Sequence, residues 1–554
     1  MNRRWLRFAT IAAASLSLAV RPAADEDRPQ APPPRLVIVL VVDQMRADYL
    51  ERFDAQFGAG LRWLLDNGVV FEEAHHDHAV TATAPGHATI ATGTLPSRHG
   101  IVGNDYFDRA RQLVVYSVAD PDAPLLGLPD DAGRSPRNML RGALGDWLKA
   151  ASPDSRVFAV AIKDRAAITM GGQRPDGVYW YHYRTGRFVT SAYYRPNYPD
   201  WVEEFNRSGL AAQYNGINWD LVAPESLYVE SRGEPLGAEI GVMGSSFPHH
   251  LGGSGQDPDG RYFEHLPWTP FGDELTLAFA ARLIEREGLG RDQHPDLLFI
   301  GLSSADFIGH AYGPYSREVQ DYYLRLDLLL SALMRIMETS SGGRLVLALT
   351  ADHGVMALPE ELARRGYDTG RIKPARLLAR ARSAVAWARE RGVIAEEPKL
   401  RFSEGIAFSF EGSPTDPAGL AQLRRLVAEE LRAGGELAAA WTYDEMRSGS
   451  GDGELYEMFR HSFRSDRAPD VFVAPKRNFL LIETDEGTTH GSPYDYDTHV
   501  PLIFAGMGIE AGWRDSRVRT VDIAPTIASI LGIDAPDDLD GRPLDLTGRH
   551  GTSR

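Results

Sequence analysis

The hydrophobic pattern is dominated by short, wholly apolar runs. The first, LVIVLVV, begins at Leu36 and ends against Asp43. Runs of this length without polar alternation suit a parallel strand buried on both faces. Comparable runs recur at Val157 to Ile162, Leu297 to Leu302, Leu345 to Thr350 and Pro501 to Phe504. Amphipathic helical patterns, such as Arg317 to Met337 and Val521 to Leu531, separate several of them. Strands alternating with helices predict an α/β fold, a mostly parallel sheet between helices. Two intervals break the rhythm. About 170–290 is rich in Tyr, Trp, Pro and Gly, and about 357–485 mixes helical stretches with loops. Both read as insertions that cap the carboxyl edge of the sheet, where α/β enzymes bind ligands.

The ends of the chain follow different rules. Arg3, Arg4 and Arg7 precede a short apolar stretch from Phe8 to Val20, with small residues from Ala19 to Ala24. This predicts a cleaved export signal over residues 1–24 and a periplasmic or secreted product. Residues 25–34 read as a proline-rich linker, 35–545 as the catalytic domain and 546–554 as a tail. No later stretch has the length of a membrane span. The chain has no cysteine, which excludes disulfides, thiolate metal sites and a lipoprotein anchor. Any zinc must then be held by imidazole and carboxylate, the usual catalytic ligand set. A net charge of −17 disfavours nucleic acid and anionic membranes as partners. Bound cations would still let an anionic substrate approach.

Acidic and imidazole groups collect just beyond the apolar runs. Asp43 ends the first run, Asp306 and His310 follow the third, and Asp352 and His353 follow the fourth. His490 lies ahead of the last. Taken singly, Asp306 and His310 fit a helix-surface pair, and Asp352 fits a turn. Delivered together to one sheet edge, they form a metal-site pattern for hard-to-borderline divalent ions. In TATAPGHATIATG, Pro85 and Gly86 break the chain before a helical stretch, which places Thr83 just ahead of a helix N-terminus. Free N–H groups there favour an anion, and a metal-coordinated hydroxyl becomes a nucleophile. Thr81 or Thr83 could equally be an N-cap. His75, His76 and His78 form a further cluster, read as a strand end supporting the Thr83 segment.

The strings VVDQMRADY, TATAPGHATIATGTLPSRHGIVGNDY, IKDRAAI, SSADFIGHAYGP, LTADHGV, THGSPYDYDTHVPLIF and TVDIAPTIASILGI occur in this order. Together they resemble bacterial alkaline phosphatases of the threonine-nucleophile type, over roughly Leu36 to Leu544. The resemblance implies an alkaline-phosphatase-like core with two Zn2+ ions. Asp306, His310 and His490 would hold one ion; Asp43, Asp352 and His353 would hold the other, with Thr83 coordinating it. His490 is preferred over the nearby His499 because it precedes the YDYD stretch. Asn104, Lys163 and Arg165 resemble the family's phosphate donors. A Lys and an Arg two residues apart after a strand can present a point charge and a planar fork to one anion.

The implied reaction is hydrolysis of small-molecule phosphate monoesters by in-line double displacement, through a phosphothreonine at Thr83. A nucleotide pyrophosphatase or phosphodiesterase of the same superfamily is the main alternative, and Lys163 with Arg165 argues for the monoester. An arylsulfatase is disfavoured because a formylglycine cannot be made from threonine. A cofactor-independent phosphoglycerate mutase is disfavoured by the export signal. A catalytically silent zinc-binding surface protein is the alternative from another class. The oligomeric state is not encoded in any of these motifs.

Overall fold

The computed structural model describes residues 33–231, 243–252, 258–403, 406–412 and 416–547. The expected signal, nearly all of the linker and most of the tail lie outside the described residues. The apolar runs become the strands of a ten-stranded sheet. In chain order these are β1 (Leu36–Val42), β2 (Gly68–His75), β3 (Val157–Ala161), β4 (Gly177–His182), β5 (Arg187–Val189), β6 (Asp296–Leu302), β7 (Leu345–Thr350), β8 (His499–Gly506), β9 (Gly512–Arg514) and β10 (Val518–Arg519). They lie in the order β9-β2-β8-β7-β1-β6-β3-β4-β5, with β10 also paired to β2.

Central β1 shows why the run had to be apolar throughout. Leu36, Ile38, Leu40 and Val42 enter one core, against the long helices Pro270–Glu287 and Arg317–Ser341. Val37, Val39 and Val41 enter a second core on the opposite face, with helices Asp164–Gly171 and Ile523–Leu531. With side chains alternating across the sheet, only a strand apolar at every position fills both layers.

Three details depart from the sequence reading. Pro501–Phe504 lies within β8, which runs antiparallel to both β7 and β2. A central antiparallel strand is also buried on both faces, so apolarity alone does not report direction. The interval 170–290 is not all insertion, since it supplies β4, β5 and the helix Pro270–Glu287 to the main sheet and its cover. The aromatic run in GVYWYH, strongly strand-forming, carries β4. By contrast 374–475 builds its own antiparallel four-stranded sheet under helices Pro374–Glu390 and Pro417–Ala433, with a separate core. A neighbouring cluster packs Ile406, Tyr456 and Phe459 against Ala79, Val80 and Ala82, just upstream of Thr83.

The helix that carries Thr83 also starts earlier than the Pro-Gly pair suggested. Helix α1 spans Thr83–Thr92, with Thr83 its first residue. Pro85 sits in the first turn, where a missing N–H breaks no helical bond. Gly86 is needed for close approach, because a Cβ there would meet the Asp352 carbonyl oxygen at 2.2 Å.

Candidate metal and phosphate site

Four chain segments deliver side chains to the carboxyl edge of β1, β3, β6 and β7. Asp43 follows β1, and Asp352 and His353 follow β7. Helix α2 (Ser304–Tyr312) leaves β6 with Asp306 in its first turn and His310 in its last, one face of the helix. His490 arrives from the loop before β8. That loop is pinned by Thr488 N–H donating to the His310 carbonyl (2.8 Å) and Ser492 N–H to Asp497 Oδ2 (2.8 Å).

The sequence-named acids and histidines converge. Donor atoms of Asp306, His353 and His490 lie within 4.8 Å of one another, as do those of Asp43, Asp352 and His353. His310 Nε2 is 3.2 Å from Asp306 Oδ1, and the His353 and His490 rings stack at 3.6 Å. His499 stays outside, facing Glu72 and His75.

The fixed tautomers fit a metal ion. Nδ1 of His310, His353 and His490 each contacts a backbone carbonyl, those of Thr488 (2.7 Å), Gly354 (3.0 Å) and Thr81 (2.7 Å). A carbonyl only accepts, so each Nδ1 holds a proton and Nε2 is the nitrogen left to coordinate an ion; on His310 the adjacent Asp306 carboxylate raises the pKa, so an ion there displaces a proton from Nε2. Those Nε2 atoms face carboxylates, and buried His353 Nε2 makes no hydrogen bond. Of buried Asp43, Oδ1 has no hydrogen bond and Oδ2 faces the Lys163 ammonium at 2.7 Å. Burial, then the charge of Asp352, pushes the Asp43 carboxyl well above the usual carboxylate range. Burial acts on Asp306 too, but His310 and Lys163 outweigh it and hold that carboxyl low. Three buried carboxyl groups, of which Asp43 and Asp352 keep an oxygen without a hydrogen bond, and three imidazoles that turn Nε2 toward them suit divalent cations.

Beside them lies a group of cations and hydrogen-bond donors. Lys163 caps the helix after β3, and its ammonium sits 2.7 Å from Asp43 Oδ2, 2.5 Å from Asp306 Oδ2 and 3.3 Å from Thr83 Oγ1. Arg165 Nη2 is 3.5 Å from the same hydroxyl. Burial disfavours its charge, yet Tyr116 and Asp164 raise its pKa further, so it stays cationic. Asn104 Oδ1 accepts the Ala84 N–H at 2.9 Å, which leaves the amide Nδ2 as a donor. Thr83, the first residue of α1, is buried, and no side chain caps its helix. A hydroxyl, a helix N-terminus, an ammonium, a guanidinium and an amide thus share one small volume beside the acids.

Supporting residues escaped the sequence reading. Gln44, at a positive φ of 68°, gives its N–H to Asp352 Oδ1 (3.1 Å) and its side-chain amide to Asp306 Oδ1 (2.7 Å). It ties two acids that lie far apart in sequence; its adjacency to Asp43 was the only available signal. His87, one turn after Thr83, donates Nδ1–H to the Thr83 carbonyl (2.9 Å) and lies 3.1 Å from Asp352 Oδ2. His76, from the histidine cluster, braces the Ala351 carbonyl at 3.0 Å and Thr520 Oγ1 at 2.9 Å, and so supports the strand end before Asp352.

Comparison with known proteins identifies the family and the fold. A family model described as type I phosphodiesterase / nucleotide pyrophosphatase matches residues 37–499. The chain is 32% identical to alkaline phosphatase PafA of Elizabethkingia meningoseptica over 530 residues, covering 94% of this chain and 95% of that one. It is also 32% identical to alkaline phosphatase PhoV of Synechococcus elongatus, covering 92% of each chain. The crystal structure of wild-type PafA superposes with a TM-score of 0.83 at 31% identity, over 93% of this chain and 99% of that chain.

Proposed function

The chain belongs to the type I phosphodiesterase/nucleotide pyrophosphatase family, within the alkaline phosphatase superfamily, and on that premise we propose that it is an alkaline phosphatase hydrolysing small-molecule phosphate monoesters through Thr83. The observation that carries this reading is the grouping of Lys163 Nζ and Arg165 Nη2 within 3.5 Å of Thr83 Oγ1. In this reading the site holds two zinc ions, one on Asp306, His310 and His490 and the other on Asp43, Asp352 and His353. Zinc bound there would acidify the Thr83 hydroxyl and offset negative charge on the attacking and leaving oxygens.

The protein's own groups do the rest. Thr83 Oγ attacks phosphorus in line as the bond to the leaving oxygen breaks. Water then cleaves the phosphothreonine, releasing phosphate and restoring the hydroxyl. The α1 N-terminus, the Asn104 amide, Lys163 and Arg165 bind the non-bridging oxygens. A terminal phosphoryl dianion uses all of these donors, whereas a diester has one charge fewer and an added substituent. Relatives named alkaline phosphatase support the monoester reading; the description of the matched family keeps the diesterase reading as its rival.

Export is inferred from the basic and apolar residues before Ala24, which lie outside the described residues. No helix among the described residues is long and apolar enough to cross a membrane. Turnover of an aryl phosphate monoester and its matched diester, measured with metal content, tests the assignment. A higher kcat/KM on the monoester with two zinc ions per chain is expected; faster diester hydrolysis would move the protein to the phosphodiesterase branch. Thr83→Ala should retain zinc yet lose about 10⁴-fold or more in turnover. Near-normal rates in that variant would exclude Thr83 as nucleophile.

A further inference from the structure

Two histidines singled out in the sequence, His75 and His499, take no part in the central site, yet they meet each other. His75 ends β2 and His499 begins β8, and the two are direct cross-strand partners. Their rings stack at 4.5 Å with only 13° between planes. Glu73 precedes His75 by two residues. The pairing is irregular here: Ala74 faces Val500 and Phe71 faces Leu502, so Glu72 and Glu73 together oppose Pro501. Such a bulge re-aims side chains at a strand end. Glu73 Oε2 lies 3.0 Å from His75 Nε2. One donor atom each from Glu73, His75 and His499 lies within 4.8 Å of the other two.

We propose that Glu73, His75 and His499 form a second, peripheral site for a divalent transition-metal ion such as Zn2+, held by one carboxylate and two imidazoles. The ligand types are those of an open zinc site, with a fourth position left for water. His499 Nε2 donates to the Glu72 carbonyl at 2.6 Å, which fixes its lone pair on Nδ1 and holds the ring in place, as a carbonyl usually does for a metal-bound histidine. Opposing charge comes from Arg517, whose Nη2 lies 3.4 Å from Asp77 Oδ1, and from the strand partner of His75, Arg519, whose Nε lies 3.8 Å from Asp77 Oδ2. None of the three ligands belongs to the central site, so the proposal stands apart from the phosphatase reading.

An ion there would join the ends of two strands that feed the central site. Beyond β2 the chain runs through His76 to Thr83, and His490 precedes β8. The strand ends are already linked by His76 N–H donating to the Thr498 carbonyl at 2.9 Å. The ion would act as a cross-strand staple under both segments.

The test is Zn2+ titration of the full chain against a chromogenic chelator, with bound metal counted after dialysis. Wild type is expected to take up one more equivalent than the His75→Ala/His499→Ala variant, and the same difference is expected in a Thr83→Ala background. Glu73→Gln, a change at an exposed side chain, should keep the fold and weaken only that extra equivalent, by ~10- to 100-fold. If the double variant does not fold, His499→Gln and Glu73→Gln decide the matter. Equal stoichiometry and affinity in wild type and these variants would overturn the site.

Discussion

Buried aspartates occur both at the carboxyl edge of the central sheet and in the surrounding structure, but they are treated differently. In the 374–475 lobe, fully buried Asp470 has both oxygens used: Oδ1 accepts from Arg424 Nε (2.8 Å) and Arg109 Nη2 (3.0 Å), and Oδ2 from Phe410 N–H (2.8 Å). Asp327, on the helix Arg317–Ser341, receives four backbone N–H groups from Gly58 to Arg62. Asp321 on the same helix accepts from Trp219, Tyr228, Arg325 and the Val222 N–H. Asp43, buried as deeply, has only the Lys163 ammonium, 2.7 Å from Oδ2 and shared with Asp306, leaves Oδ1 without a hydrogen bond, and is crowded by Asp352 and Asp306. A buried carboxylate satisfied by donors holds a fold together. One that is buried, crowded by other carboxyl groups and only half satisfied costs stability, and points to a ligand.

That contrast can be broken most directly at its poles. Asp43→Asn should lower monoester turnover by about 10³-fold or more, as the loss of a proposed metal ligand requires, while the metal-free protein melts close to wild type because relief of crowding by Asp352 and Asp306 offsets the weakened Lys163 contact. Thermal unfolding after chelation, beside a turnover assay, reads both effects, and an early-melting variant would mean that Asp43 is structural. Asp470→Ala should do the reverse. It strands two guanidinium groups and an amide N–H, with an expected loss of about 3–5 kcal/mol by denaturant titration and unchanged kcat per folded molecule.

Lys163 and Arg165 sharpen the boundary between the acids proposed to hold metal and the donors proposed to hold phosphate. Replacing both by Ala should cost monoester hydrolysis about 2–5 kcal/mol in kcat/KM, with a clearly smaller loss on the matched diester. Equal losses would place the two cations in general structure, as with Arg424.

The mildest effect concerns Asp273, which sits between the two classes. Its Oδ2 accepts from Ser304 N–H (2.9 Å) and Tyr322 OH (2.7 Å), but buried Oδ1 has no partner. Burial raises its pKa to about 7 against those bonds. An unfolded aspartate titrates near ~4, so between about pH 4 and 7 the folded chain binds more protons than the unfolded chain. This group's contribution is greatest below pH 4, is lost as pH rises towards 7, and stays lost above. Asp273→Asn should remove that slope from a stability-against-pH series; an unchanged slope would mean that the carboxyl titrates normally.

Much of the chemistry was legible along the chain because strands of a parallel sheet end on one edge. Apolar runs followed by Asp43, Asp306 and Asp352 therefore bring those acids near one another whatever the loops do, and α2 keeps Asp306 and His310 on one face. The choice between His490 and His499, nine residues apart in one loop-strand passage, had no such local rule. It depended on which carbonyl each ring could reach, that of Thr81 or of Glu72. Gln44 was equally hidden, since its value lies in joining acids from two distant segments.

The sequence by itself determined the layered α/β architecture, because apolarity at every position of β1 and its neighbours demands burial on both faces. It also determined the donor types that meet at one edge. Only the tertiary structure decided the direction of β8, the recruitment of Gly177–Val189 to the sheet, and which buried carboxylates are satisfied. Strand direction and hydrogen-bond satisfaction are pairwise properties of distant segments, and no local pattern of residues carries them.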